Sequence, residues 1–287
     1  MKRVAVLGGT GMAGHVAVAY LSEIGYDVFY TSRSAPESER SKPLDASDVC
    51  SLRAWLDTLN PDIVVNCVGL LVGDCDARPD KAIKLNAYLP RILEHKLINT
   101  RVKIIHLSTD CVFSGKRGGY LESDAPDGET VYDRAKALGE IANNKDLTFR
   151  MSIIGPDCDE NGIGLFNWFM KQKGTIRGYT KAMWNGVTTI ELARAIDCAI
   201  LQDLKGLYHL TPDEAICKHD LLLLFKDVFG RTDIEIEPYD GYVVDKTLKN
   251  TRTDFCFEIR DYPTQVRDML EWVKRHKDMY SYYSRLF

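Results

Sequence analysis

The sequence has no long basic run, no CxxC pair, no internal repeat and no low-complexity linker. Each absence removes a class of protein. The 37 Lys and Arg are outnumbered by 41 Asp and Glu. Without clustered cations there is nothing to grip a phosphate backbone, so nucleic acid is excluded as the main partner. A small anionic ligand needs only a local positive site and stays open. No apolar run approaches the length of a bilayer crossing, so no membrane partner is expected. Met1-Lys2-Arg3 lead directly into Val4-Ala5-Val6-Leu7 and Gly8-Gly9, a stretch too short for a secretory signal, which predicts a cytoplasmic chain. The eight cysteines (50, 67, 75, 111, 158, 198, 217 and 256) are scattered. They match neither a zinc site nor a disulfide framework; reduced thiols and no metal are expected.

What is present is ordinary globular composition, 45% hydrophobic and 27% charged. Apolar, β-branched runs at Lys2 to Leu7, Asp27 to Thr31, Asp62 to Asn66, Val102 to Leu107 and Leu147 to Met151 predict strands. Between them, Met12 to Ile24, Ala46 to Leu59, Pro79 to Lys96 and Asp133 to Asn143 predict helices, with a kink or restart at Pro90. Alternation of this kind predicts an α/β fold, a doubly wound parallel sheet with helices on both faces. After residue 150 the rhythm changes. Helices are expected at Ile190 to Leu201, Lys218 to Phe229 and Thr264 to Lys277, and strands at Leu207 to Leu210 and Ile234 to Ile236. Residues 1–150 are therefore assigned to the sheet domain and 151–287 to a smaller C-terminal α/β substrate lobe, interleaved with the first.

Gly8, Gly11 and Gly14 stand between a strand and a helix, with Thr10 and Met12 among them. Gly8 permits the tight turn, Gly11 lets backbone amides approach a pyrophosphate, and Gly14 lets the helix pack close to the sheet. An anion is favoured there by the unpaired N–H groups and the dipole of the helix. The second strand ends in Thr31-Ser32-Arg33-Ser34, where an acidic residue would select NAD. Ser32 and Arg33 instead suit a 2′-phosphate, so NADP(H) is the expected cofactor. Asp45 is placed to accept from the adenine amino group, and Val68-Gly69 to lay backbone against the cofactor.

Tyr132 and Lys136 are four residues apart on a helix and share a face. A lysine there is expected to lower the phenol pKa and hold the nicotinamide ribose, while the phenol protonates a carbonyl taking a hydride. The preceding strand ends in Ser108-Thr109-Asp110; Thr109 is expected to bond the carbonyl oxygen and Ser108 to lie against the cofactor.

Three stretches, Gly8 to Gly14, His106 to Gly115 and Tyr132 to Glu140, together resemble an extended short-chain dehydrogenase/reductase, most closely the dTDP-4-dehydrorhamnose reductase branch. Gly206 to Thr211 and Thr188 to Ile196 are weaker echoes. The resemblance implies a Rossmann domain with a C-terminal nucleotide-sugar lobe, and reduction of a keto group on a nucleotide-activated deoxysugar. Two positions depart from that branch. Cys111 stands where it has Tyr, and Arg150-Met151-Ser152 lacks its Trp, so the sugar is expected to differ from 4-keto-rhamnose.

Cys111 also has a parallel in GDP-fucose synthase, an epimerase–reductase that couples such a Cys to a downstream His. Here the next His is His209, in another segment, and a packed thiol is the expected role. Epimerase or epimerase–reductase chemistry remains the alternative within enzymes. A non-catalytic NADP(H)-sensing subunit, like the regulatory partner of methionine adenosyltransferase, is the alternative outside them. Trp168, Trp184 and His15 are expected in packing roles, and Arg177 and Lys181 on a solvated face. The aromatic Tyr280 to Phe287 tail is expected to dock on the body or on a second subunit of a homodimer.

Overall fold

Val4, Ala5, Val6 and Leu7 are fully buried, as a strand must be when helices cover both faces of its sheet. They form β1 (Arg3–Leu7) in a computed structural model that describes residues 1–283. The chain continues through α1 (Met12–Glu23), β2 (Asp27–Ser32), β3 (Ser41–Pro43), α2 (Val49–Leu59) and β4 (Ile63–Asn66). After the short helices α3 (Val72–Ala77) and α4 (Pro79–Ala82) come a π-helical stretch, Ile83–Tyr88, and α5 (Leu89–Leu97). Then follow β5 (Lys103–Leu107), α6 (Val131–Gly139) and β6 (Leu147–Arg150).

The second half supplies β7 (Ile153–Ile154), α7 (Leu165–Lys171), β8 (Gly174–Tyr179), β9 (Ala182–Trp184), β10 (Val187–Thr188), α8 (Thr189–Leu201) and β11 (Gly206–His209). It ends with β12 (Ile216–Cys217), α9 (Lys218–Val228), β13 (Ile234–Tyr239), β14 (Val244–Asp245) and α10 (Tyr262–Arg275).

Seven strands make the main sheet in the order β11-β6-β5-β4-β1-β2-β3, and every pairing is parallel. This is the doubly wound Rossmann arrangement. Side chains alternate across the sheet: Val4, Val6, Val65 and Ile105 pack on one side with Leu21 of α1 and Ile196 of α8. Ala5, Leu7, Val64 and Ile104 pack on the other with Leu52, Leu56, Leu89 and Leu93 of α2 and α5. The chain winds outward from β1 to β3 and then returns to β4, so neighbouring β1 and β4 lead their connections in opposite directions. That reversal opens a crevice at the carboxyl ends of the strands, where doubly wound sheets hold ligands.

The two halves interleave. The strand expected at Leu207 to Leu210 is β11, which adds to the main sheet beside β6 with α8 as its crossover. Gly206 N–H donates to Asp146 O in a 2.7 Å bond that starts the ladder. The remaining late strands form small sheets: β8 with β13, β9 between β12 and β14, and β7 with β10. A second core of Phe166, Phe169, Phe225 and Trp272 lies under them.

Two of the expected helices are interrupted or end early. The run expected from Pro79 to Lys96 passes through the π stretch and restarts as α5, which carries Pro90 in its first turn. Pro90 has no N–H to give to the Asn86 carbonyl, which frees that oxygen. Gly139 of α6 closes on it so tightly that a Cβ would lie 2.0 Å from Asn86 O. The helix expected to reach Asn143 stops at Gly139, because Glu140 turns extended to meet Arg150.

Candidate active site

Gly8 turns with a φ of 77°, and its N–H and that of Gly9 both donate to Thr31 O at the end of β2. A Cβ on Gly14 would lie 2.1 Å from Gly8 O, so α1 can approach the turn only because that residue is glycine. Gly11 is different: a Cβ there would meet only Gly8 O, at 3.5 Å. Its openness is toward solvent, and no side chain caps the N-terminus of α1. The first amides of that helix are left for an anion.

Around this turn lies an open groove of about 200 Å³. Gly8, Thr10, Gly11, Ser32, Arg33, Asp45, Val68 and Gly69 all line it, joined by apolar Leu44, Ala46, Leu70 and Leu85. Met12 does not; its sulfur faces Gly164. The Thr10 hydroxyl donates to Ser32 Oγ at 2.8 Å, which leaves the Ser32 proton free to be donated outward. Asp45 accepts from Ser47 N–H at 2.8 Å, and this bond, aided by the Arg33 charge, holds its carboxyl below the usual range. The groove residues thus fit an anionic dinucleotide with an extra phosphate near Arg33.

A capping box at Thr130 and Asp133 fixes the start of α6 and therefore the direction of Tyr132 and Lys136. The Tyr132 hydroxyl meets that of Thr109 at the carboxyl end of β5. The electrostatics depart from the sequence expectation. Burial, with Cys111 beside it, raises the Tyr132 phenol pKa above its ordinary value; the Thr109 bond opposes this only in part. The Lys136 Nζ donates to Leu107 O at 2.6 Å rather than to the phenol. Burial in turn lowers the Lys136 pKa to about 8.

Ser108 and Thr109 are also partly engaged. The Ser108 hydroxyl donates to Glu140 Oε1 at 2.7 Å, so its side chain serves the fold rather than the groove. Thr109 Oγ1 accepts from Cys111 N–H at 3.1 Å and donates to Asp110 at 3.2 Å. Cys111, partly buried beside the phenol, has its thiol pushed up to about 12 by burial and then by Asp110. His209 is no partner for it: Arg150 donates to its Nε2 at 3.0 Å, and its Nδ1–H donates to Lys249 O at 2.9 Å.

Elsewhere, Trp184 is buried and Trp168 half-exposed. Arg177 lies over Tyr239, and Lys181 pairs with Asp240. Tyr280 is buried against His15, whereas the last four residues of the tail lie outside the described residues.

Sequence reasoning missed Lys218 and Lys246. Both face Asp110 and Cys111 from the second half of the chain. No local pattern marks them, since each is a single lysine far in sequence from the stretch between Ser108 and Lys136.

Among curated proteins, the chain is 27% identical over 223 residues to the spore coat polysaccharide biosynthesis protein SpsK of Bacillus subtilis, covering 76% of this chain and 75% of that one. It is 23% identical over 255 residues to methionine adenosyltransferase 2 subunit beta of Xenopus tropicalis, covering 83% and 75%. The crystal structure of dTDP-4-dehydrorhamnose reductase from Bacillus anthracis in complex with NADP has the same fold, with a TM-score of 0.80 over 94% of this chain and 99% of that one, at 18% identity. A sequence profile described as the RmlD substrate binding domain matches residues 1–271, and the chain belongs to that family.

Proposed function

We propose that this chain is an NADP(H)-dependent reductase that converts a keto group on a nucleotide-activated sugar to an alcohol. Residues 1–150 hold the cofactor and residues 151–287 cover the sugar. The observation that carries this is the meeting of the Tyr132 and Thr109 hydroxyls at the carboxyl end of β5, beside a glycine turn that leaves Gly11 open. The relatives support it: SpsK is named for polysaccharide biosynthesis, and the Bacillus anthracis structure is a nucleotide-sugar reductase with NADP.

NADPH supplies the hydride when bound. Gly8, Gly11 and the first turn of α1 receive its pyrophosphate, and Ser32 and Arg33 its 2′-phosphate. Tyr132 gives its proton to the carbonyl oxygen as that oxygen gains charge, and the phenol is reprotonated from solvent afterwards. Thr109 donates to the same oxygen. A neutral phenol suits this direction, since an acid must arrive protonated. Lys136, mostly protonated below its pKa of about 8, supplies the positive charge that steadies the phenolate left behind.

The test is single-turnover oxidation of NADPH with a keto sugar nucleotide. Tyr132→Phe removes the acid and keeps the ring, so the rate should fall by about 10²–10⁴ while NADPH binding persists. An unchanged rate would refute the mechanism. It would favour a non-catalytic regulatory subunit, the reading that the likeness to methionine adenosyltransferase 2 subunit beta supports.

A further inference from the structure

Lys218 is the first residue of α9, directly after Cys217, which pairs with Met183 in β9. Its ammonium sits 4.8 Å from the centre of the Trp184 ring, and Trp184 is itself anchored by an Nε1–H bond to Ser152 Oγ at 2.8 Å. Lys246 follows β14 and lies across Gly115, where a Cβ would come within 2.8 Å of its Cγ. The two side chains thus arrive from separate segments and converge on Asp110 and Cys111, the residues immediately after Thr109.

A structural ion cluster would close each ammonium on a carboxylate. Among the described residues neither does so: Lys218 has only the Trp184 face, and Lys246 reaches the Cys111 sulfur. Asp110 favours the charge on both lysines, but burial works against its carboxylate and neither ammonium forms an ion pair with it. Burial also lowers Lys218 to about 8, the mark of an ammonium short of acceptors. Among the described residues Lys218 has no hydrogen-bond acceptor and Lys246 has only the Cys111 sulfur, so N–H donors on both remain for an external acceptor.

We propose that Lys218 and Lys246 are specificity-determining residues that grip an acyl oxygen on the sugar ring, either the carbonyl of an acetamido group or a carboxylate. The proposal rests on the nucleotide-sugar reading above. Position decides in favour of the ring: the lysines border the residues next to Thr109, where the reacting carbonyl lies, rather than the groove around Gly11. Chemistry decides in favour of an acyl oxygen, which concentrates negative potential on lone pairs. A methyl offers none, and a hydroxyl is a weaker acceptor for a desolvated ammonium.

The experiment measures dissociation constants by calorimetry in the presence of NADP. The ligands are UDP, UDP-glucose, UDP-N-acetylglucosamine and UDP-glucuronate, with the matching thymidine carriers in parallel. One of the acyl sugars should bind at least roughly tenfold tighter than its glucose counterpart, the size of a charge-assisted contact. An N-acetylglucosamine gap identifies an amide and a glucuronate gap a carboxylate. Lys218→Met and Lys246→Met should each shrink the gap and leave the affinity for the bare nucleotide unchanged. Lys218→Arg and Lys246→Arg, which keep the charge, should retain it even where the Met variants fold poorly. Equal affinities for all three sugars, or a gap that survives in the Lys218→Met/Lys246→Met double variant, overturn the proposal and leave the reductase reading standing if keto sugars still oxidise NADPH. Failure of every sugar to bind better than its nucleotide, together with no NADPH oxidation, overturns both.

Discussion

Arg150→Met should destabilise the fold by about 3–5 kcal/mol, the usual result of orphaning one half of a buried ion pair. Arg150 and Glu140 side chains are only 3% and 9% exposed. The guanidinium meets the carboxylate with two bonds, Nε to Oε1 at 2.8 Å and Nη2 to Oε2 at 2.6 Å, and a third from Nη1 reaches His209. Met matches the length of the Arg stem but supplies none of these donors. Glu140 would keep only the Ser108 hydroxyl, and its charge would stay in a dry environment. For a chain of this size each kcal/mol moves the thermal midpoint by about 2–4 °C, so a fall of roughly 10 °C is expected. Urea unfolding followed by tryptophan fluorescence gives the free energy directly. The double variant Arg150→Met/Glu140→Leu should recover most of the loss, since apolar replacements of a buried pair are often neutral. The wild-type pair should also be insensitive to added salt, because little solvent reaches it. A single-variant loss under about 1 kcal/mol, or a double variant no better than the single, would refute the reasoning.

Gly14→Ala, whose Cβ would strike Gly8 O, should cost about 1–3 kcal/mol of stability, whereas Gly11→Ala should leave the fold intact and weaken NADPH binding; identical thermal midpoints for the two variants would contradict this. Arg33→Ala should narrow the preference for NADPH over NADH by roughly tenfold in a fluorescence titration, and equal affinities in the unaltered protein would remove the basis for assigning the 2′-phosphate site. His15 is held neutral, its pKa lowered from 6.5 to about 4 by burial between Gly11 O and the Tyr280 hydroxyl. The unfolded chain therefore takes up a proton first as pH falls. The contribution is intact above 6.5 and is lost through the window down to about 4, at about 1.4 kcal/mol per pH unit, or about 3 kcal/mol in all. Urea midpoints measured from pH 7 to pH 4 should fall more steeply for the wild type than for His15→Gln; equal slopes would show that His15 is not the responsible group.

The sequence by itself determined what depends on short-range geometry. The glycine turn was legible because a strand, three glycines and a helix are contiguous, and its roles at Gly8 and Gly14 follow from the absence of a Cβ. The Tyr132–Lys136 face was legible because a helix repeats every 3.6 residues, and the parallel sheet because strand and helix alternate. The tertiary structure alone decided what depends on packing between distant segments. It moved β11 into the main sheet, turned the Ser108 hydroxyl toward Glu140, and set Lys136 on Leu107 O instead of on the phenol. It reversed the expected direction of the Tyr132 shift, since removing water from a buried phenol outweighs the Thr109 bond that opposes it. It also brought Lys218 and Lys246 to Cys111 across the fold. Local patterns carry backbone geometry, but desolvation and charge pairing are set by which surfaces meet, and no window of sequence contains both surfaces.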